Sequence, residues 1–200
     1  MTAWTLGVEA SAGPGSIALL RDAALVAERG LAGQRASGLV PAAEALLSEA
    51  KIRPADLALL AVDVGPGSFT GTRVAVAFAK ALAYACGSPL AAVSSLQARA
   101  YDAWRRGERG PLAVSLDARR GQRYGAAFQL EDAGVTRVLE DGLFPPERLE
   151  SYAVRLGDAD PAPSAEAVAR LGMASSVRPT CFALAPVYLR AVEAQEKRRA

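Results

Sequence analysis

Two acids and one arginine-rich hairpin are the side chains of this 200-residue chain best placed to do chemistry. Glu9 ends the run Thr5-Leu6-Gly7-Val8, and Asp117 ends the run Leu112-Ala113-Val114-Ser115-Leu116. Each acid stands where an extended segment stops. Two such carboxylates facing one another across a cleft could hold a divalent metal and the phosphates of a nucleotide. Each could equally cap the tight turn that follows it, as acids after strands often do. Asp117-Ala118-Arg119-Arg120-Gly121-Gln122-Arg123-Tyr124 adds three guanidinium groups to the second acid. Arg119 and Arg120 then form a candidate patch for phosphate or for a partner's carboxylates, with a solvated turn as the alternative.

The third candidate is Gly65-Pro66-Gly67-Ser68-Phe69-Thr70-Gly71-Thr72-Arg73. Glycines permit positive φ and close backbone approach, so the amides here could converge on an anion at the start of a helix. No Lys-Ser/Thr pair follows the last glycine, however, and the spacing is not GxGxxG. A structural tight turn is therefore favoured over a phosphate cradle.

The composition narrows the chemistry further. The chain contains no histidine, which removes Ser-His-Asp and Cys-His catalysis, histidine metal ligation and imidazole proton shuttling. The net charge of +2 does not argue for nucleic-acid binding. Cys86 and Cys181 are too few for a disulfide framework and lie among apolar residues, as buried thiols of a reducing compartment do. Glu9 falls where a signal peptide would carry its apolar stretch, and the longest apolar run, Val74 to Cys86, is interrupted by Lys80 and too short to span a bilayer. A cytoplasmic protein with no membrane association is expected.

The elements that must position these groups follow from periodicity and turn residues. Thr5–Val8, Ser16–Leu20 and Leu25–Arg29 read as a three-strand meander with turns at Ser11–Gly15 and Arg21-Asp22. Leu39, Val40, Ala43, Leu46, Leu47 and Ala50 share one helical face, with Ser37 as its cap. A strand at 59–64, the glycine turn, a helix to Gly87, a strand at Leu90–Val93 and a helix from Ser94 or Ser95 to about Arg106 complete the first half. The second half opens in the same way, with strands ending at Asp117 and covering Tyr124–Leu130 and Val135–Leu139. A short helix near Pro146–Leu149, a strand at Ala153–Leu156 and a helix from Ser164 to Leu171, stopped by Gly172, come next. The tail carries Tyr188 between apolar residues, read as buried, and the charged stretch Glu193 to Arg199 reads as a solvated helix or frayed end.

The expected fold is α/β, with two tandem ribonuclease-H-like or actin-like (ASKHA) half-domains of mixed sheets, the second reduced. The boundary falls in Arg105–Pro111, which divides the chain into 1–106 and 107–200, with the last residues packing back on the first domain. In proteins of the actin and sugar-kinase type, acids at Glu9 and Asp117 are the positions that hold a metal–nucleotide. Here Glu9 is longer than the aspartate expected there, Pro14 stands in its turn, and the second half lacks an obvious Gly-Gly adenosine loop, which favours the reading of both acids as vestigial, each capping its own turn.

The helix after the glycine turn constrains the function most. Val74 to Ala85 is apolar around nearly its whole circumference, leaving one narrow stripe of Arg73, Lys80 and Tyr84. A helix of that kind is covered on both sides, by its own sheet and by a second helix or another subunit. With the glycine turn, Ala77–Leu82, the Asp117-Ala118-Arg119 hairpin and Pro186-Val187-Tyr188-Leu189-Arg190 assembled, the chain resembles the TsaB (YeaZ) family over nearly its whole length. That resemblance implies a catalytically inactive relative of TsaD, the threonylcarbamoyl transferase of tRNA adenosine modification. It implies TsaD as partner, a homodimer when the chain is alone, TsaE engaged through the complex, tRNA contacted indirectly, and no cofactor on the chain itself, with ATP used by the complex. It places the partner interface on the first two helices, assigned here to Leu39, Ala43, Leu46, Ala75, Val76, Ala79, Lys80, Leu82 and Ala83. An active ATPase or phosphotransferase of the actin-like superfamily is the alternative, and a peptidase ranks last.

Overall fold

A computed structural model of the protein describes residues 2–31, 38–152 and 154–189. The expected cap Ser37, residue Ala153, Arg190 of the tail motif and the charged end Glu193–Arg199 lie outside the described residues. Two mixed sheets form, each a three-strand antiparallel meander with parallel strands added beside its first strand. In the first, β1 (Trp4–Glu9), β2 (Ser16–Arg21) and β3 (Ala24–Gly30) are joined by β4 (Leu57–Asp63) and β5 (Leu90–Val93), in the order β3-β2-β1-β4-β5. In the second, β6 (Gly110–Asp117), β7 (Arg123–Glu131) and β8 (Gly134–Phe144) take β9 (Val154–Leu156), in the order β8-β7-β6-β9. The repeat seen in the sequence is thus a repeat of topology, and the second copy is the smaller.

Alternation along the strands decides which helix goes where. Leu6, Val8, Leu60 and Val62 point to one face of the first sheet and are buried with α1 (Leu39–Glu49) and α2 (Phe69–Cys86). Leu59 and Ala61 point to the other face, where Ala167 and Val168 of α4 (Ala165–Ala174) meet them. The chain therefore returns from the second sheet to lay its last helix on the first. α3 (Ser95–Arg105) joins the two units, with Leu96, Ala100 and Ala103 packed on the second sheet and Ala98 beside Ala167 and Val168.

Gly172 has a different role from the helix stop expected of it. α4 runs on to Ala174, and a Cβ at Gly172 would lie 2.4 Å from the Ala61 Cβ, so the glycine lets the helix press against β4. At the start of α4, Asp102 of α3 accepts from both the backbone amide and the hydroxyl of its cap residue Ser164, each at 2.8 Å. Among the described residues no helix is long and apolar enough to cross a membrane.

Candidate functional site

The glycine turn is held by the loop that follows β1. The Ser68 amide donates to the Ser11 carbonyl at 2.6 Å, and Gly67 and Gly71 lie so close to Ser11 and Ala10 that a Cβ on either would meet a carbonyl oxygen at 2.4 or 1.9 Å. Gly71 in turn donates its amide to the Ser68 hydroxyl, which caps the N-terminus of α2. The amides of Gly65, Ser68, Gly71 and Thr72 are all committed within the chain, to Asp63, Ser11, the Ser68 hydroxyl and the Ser68 carbonyl. These contacts pack the turn closely on the loop after β1.

Glu9 is buried, and its carboxylate is turned into its own loop. Oε1 accepts from the Ser11 amide at 2.6 Å, the Ala12 amide at 3.0 Å and the Ser11 hydroxyl at 2.8 Å. Its acidic neighbour is Asp63 at the end of the adjacent parallel strand, reached through the same hydroxyl at 2.7 Å. Burial pushes the Glu9 carboxyl up to about 8, helped by the charge of Asp63, and burial pushes Asp63 up to about 7. Asp117 lies elsewhere, exposed at the mouth of its hairpin, with Oδ1 accepting from the Arg119 amide at 2.8 Å and its own amide donating to Asp158 at 3.1 Å. The structure gives Glu9 and Asp117 separate sets of partners, and each caps its own turn.

Asp63 and Ser11 carry no signature spacing, and the sequence reading left them out. The one signal available was an acid inside the otherwise apolar Leu59–Val64, where an unpartnered carboxylate would be costly. Arg99 was missed as well. Its Nη1 donates to the carbonyls of Gly157, Asp160 and Pro161, which pins the stretch leading to α4 against α3.

The hairpin after Asp117 adopts left-handed backbone at Arg119 (φ 65°) and Arg120 (φ 57°), both exposed, followed by Gly121 at φ 70°. Two consecutive left-handed residues are what a tight hairpin turn requires, and Asp22 (φ 50°) and Ala23 (φ 68°) adopt the same backbone between β2 and β3.

The nominated interface residues need the largest correction. Leu39, Ala43, Leu46, Ala75, Val76, Ala79 and Ala83 are all buried under the chain's own fold, on the side of α1 and α2 that covers the sheet. Leu82 is half-buried, and Lys80 is half-buried with its Nζ donating to the Leu184 carbonyl. Hydrophobicity on every side of α2 hid which side the sheet would take. The outward stripe is Val74, Ala77, Ala81, Tyr84 and Ala85, with Tyr84 75% exposed, and Val40 of α1 is exposed as well. Positions 74, 77, 81, 84 and 85 follow helical spacing, so they form one continuous apolar face.

The tail closes one end of α2. Val187 donates its amide to the Val64 carbonyl at 2.8 Å, and Leu184 is buried in the core beneath α1 and α2. Tyr188 is about half exposed instead of buried, and its hydroxyl accepts from Arg73 Nε at 2.9 Å. The Arg73 guanidinium also lies 3.6 Å above the Phe69 ring. The glycine turn and the tail motif, far apart in sequence, are thus one structural unit.

Residues 32–185 match the family model of TsaD, tRNA N6-adenosine threonylcarbamoyltransferase. The chain is 37% identical over 127 residues to the tRNA threonylcarbamoyladenosine biosynthesis protein TsaB of Bacillus subtilis, covering 62% of this chain and 55% of that one. It is 31% identical over 153 residues to the tRNA N6-adenosine threonylcarbamoyltransferase of Thermus thermophilus, covering 68% of this chain and 46% of that one. The chain spans about half the length of the curated relatives it matches. Among solved structures, YeaZ of Pseudomonas aeruginosa superposes with a TM-score of 0.80 at 26% identity, over 94% of this chain and all of that one.

Proposed function

The chain belongs to the TsaB (YeaZ) family within the wider TsaD group, and on that premise we propose that it serves tRNA threonylcarbamoyladenosine biosynthesis as a non-catalytic subunit. It binds TsaD through the outer face of α2 and holds it in the arrangement that transfers the threonylcarbamoyl group to adenosine 37 of tRNAs reading ANN codons. The carrying observation is the apolar stripe Val74, Ala77, Ala81 and Tyr84, which is left exposed among the described residues. Covering it releases roughly 25 cal/mol per Å2 of apolar area, against which association and ordering costs must be met.

The same face seats a second copy when TsaD is absent, so TsaD and the homodimer compete for it. TsaE is engaged through the assembled complex and supplies the ATP hydrolysis, and tRNA is reached through TsaD. No cofactor is assigned to this chain. A chain without histidine has no imidazole for the transfer step, and its acids Glu9 and Asp117 are spent on their own turns.

Reconstitution tests the assignment. The purified chain is expected to form no modified tRNA, and a mixture of TsaD, TsaE and threonylcarbamoyl-adenylate is expected to need it. Full activity of the mixture without the chain would overturn the proposal. ATP binding by the isolated chain, lost in Glu9→Ala and Asp117→Ala, would make it a nucleotide-dependent phosphotransferase instead.

The arginine hairpin gives a second check. Arg119→Glu with Arg120→Glu is expected to lower the reconstituted rate by roughly tenfold or more, at about 1.5 kcal/mol per lost charged contact. The melting temperature should move far less than the rate, because both side chains are exposed. An unchanged rate would remove the hairpin from the working surface.

A further inference from the structure

Hydrogen counting at the buried carboxyls leads beyond the docking face. The Ser11 hydroxyl lies 2.8 Å from Glu9 Oε1 and 2.7 Å from Asp63 Oδ2, both hydrogen-bond distances. A hydroxyl owns one hydrogen and can donate to only one of the two. The other contact must be donated to it, so one carboxyl carries a proton. Glu9 Oε1 already accepts from the amides of Ser11 and Ala12, which marks it as the acceptor end. Asp63 Oδ1 accepts from the Gly65 amide at 2.7 Å, which leaves Oδ2 as the protonated oxygen.

We propose that the buried Glu9–Asp63 pair holds a proton in the folded protein at neutral pH, that the hydrogen-bond geometry seats it on Asp63 Oδ2, and that the relay Asp63 Oδ2–H to Ser11 Oγ–H to Glu9 Oε1 is a proton-held latch on the glycine turn. The latch has a mechanical connection to α2. Ser11 is fixed by the relay, its carbonyl accepts from the Ser68 amide, and Ser68 caps the helix. Removing the proton leaves two buried carboxylates competing for one hydroxyl hydrogen, and the loop 9–12 must shift or admit water. The entry of α2 then loosens with it.

The charged groups acting on the pair come from the other elements packed around it. Arg99 of α3 favours ionisation of Asp63, Asp141 of β8 opposes it, and the Asp63 charge opposes ionisation of Glu9. Arg99 compensates only in part, because its Nη1 is held by three carbonyls and its Nε is buried without a hydrogen-bond partner. The neighbouring Asp158 and Asp160 also draw on its charge. From the glycine turn the pair receives the Gly65 amide, and from the β1 loop the Ser11 hydroxyl and the amides of Ser11 and Ala12.

The sign of the pH effect follows. Both carboxyls titrate higher in the folded chain than in the unfolded one, so their contribution is complete below the unfolded carboxylate range. It is lost as pH rises toward 7 to 8. The test is a carbon-13 NMR titration of the assigned Asp63 side-chain carboxyl in the full chain, paired with melting curves from acidic to alkaline pH. Asp63 is expected to keep its protonated shift at pH values where ordinary aspartates are ionised, and to titrate near 7. The unmodified chain should melt at lower temperature as pH rises through that range. Asp63→Asn, whose amide donates to Ser11 as the acid does, should lose the Asp63 share of that slope, keep the share that burial of Glu9 supplies, and melt above the unmodified chain at alkaline pH. An Asp63 carboxyl already ionised at pH 6 would overturn the proposal, as would an unchanged slope in Asp63→Asn. If that variant does not fold, the titration of the unmodified chain decides alone.

Discussion

Ala81→Glu is expected to leave the protein folded and to disrupt the proposed association with TsaD and with a second copy, whereas Ala79→Glu, two residues earlier, is expected to unfold it. Ala81 lies on the exposed stripe of α2, where a carboxylate stays in water and changes stability by about 0.5 kcal/mol or less. Once a partner covers the stripe, that carboxylate is desolvated without a cation, at the scale of an interface hot spot, about 2 kcal/mol or more and so at least about thirtyfold in affinity. Ala79 is 0% exposed and packs in the core with Val62 and Val76. A carboxylate there is a buried unpaired charge and costs about 3–5 kcal/mol, a large share of the roughly 5–15 kcal/mol that holds a domain together. Circular dichroism melting and light scattering with and without TsaD separate the two outcomes. A folded, monomeric Ala81→Glu that still binds TsaD would move the interface off this face, and a stable Ala79→Glu would contradict the packing of α2.

Gly71→Ala should be the most damaging single methyl addition in the glycine turn. The new Cβ would stand 1.9 Å from the Ala10 carbonyl oxygen, a backbone atom with no rotamer by which to withdraw. Either the loop after β1 or the first turn of α2 must move. Moving the loop also disturbs Ser11 and the Ser68 amide that its carbonyl accepts from. Overpacking of this kind costs about 3 kcal/mol or more when backbone must yield, which lowers the melting temperature of a chain this size by roughly 6–12 °C. Gly87→Ala provides the contrast. Nothing lies within 4 Å of a Cβ built at Gly87, and its φ of 70° closes α2 as a left-handed cap, so the cost there is conformational and near 1 kcal/mol. Melting curves of the two variants side by side check the ordering, and a Gly71→Ala chain as stable as Gly87→Ala would show that the loop and helix are not in backbone contact.

Much of the fold was legible because local signals agreed with one another. The meanders are written in alternating apolar residues broken at Ser11–Gly15 and Glu131–Gly134, and α2 begins at Ser68 and ends at Gly87 as cap chemistry requires. Gly172 misled because a glycine near a helix end signals a stop, while its use here is close approach of α4 to Ala61, a long-range contact with no local mark. The interface residues misled for a related reason. Ala79 and Ala81 are chemically identical, and only the position of β4 decides which one is covered.

By itself the sequence determined the kinds of element, their order, the turn-like character of Gly65–Ser68 before α2 and the want of imidazole chemistry, since each rests on residue type and short-range spacing. Tertiary structure alone decided which side of α2 faces water, that α4 crosses back to the first sheet, and that Glu9 shares a hydroxyl with Asp63. Those facts depend on strands 1 and 4 lying side by side, which brings residues 52 positions apart within one hydrogen bond. Periodicity along a chain carries no record of which distant strand will be its neighbour.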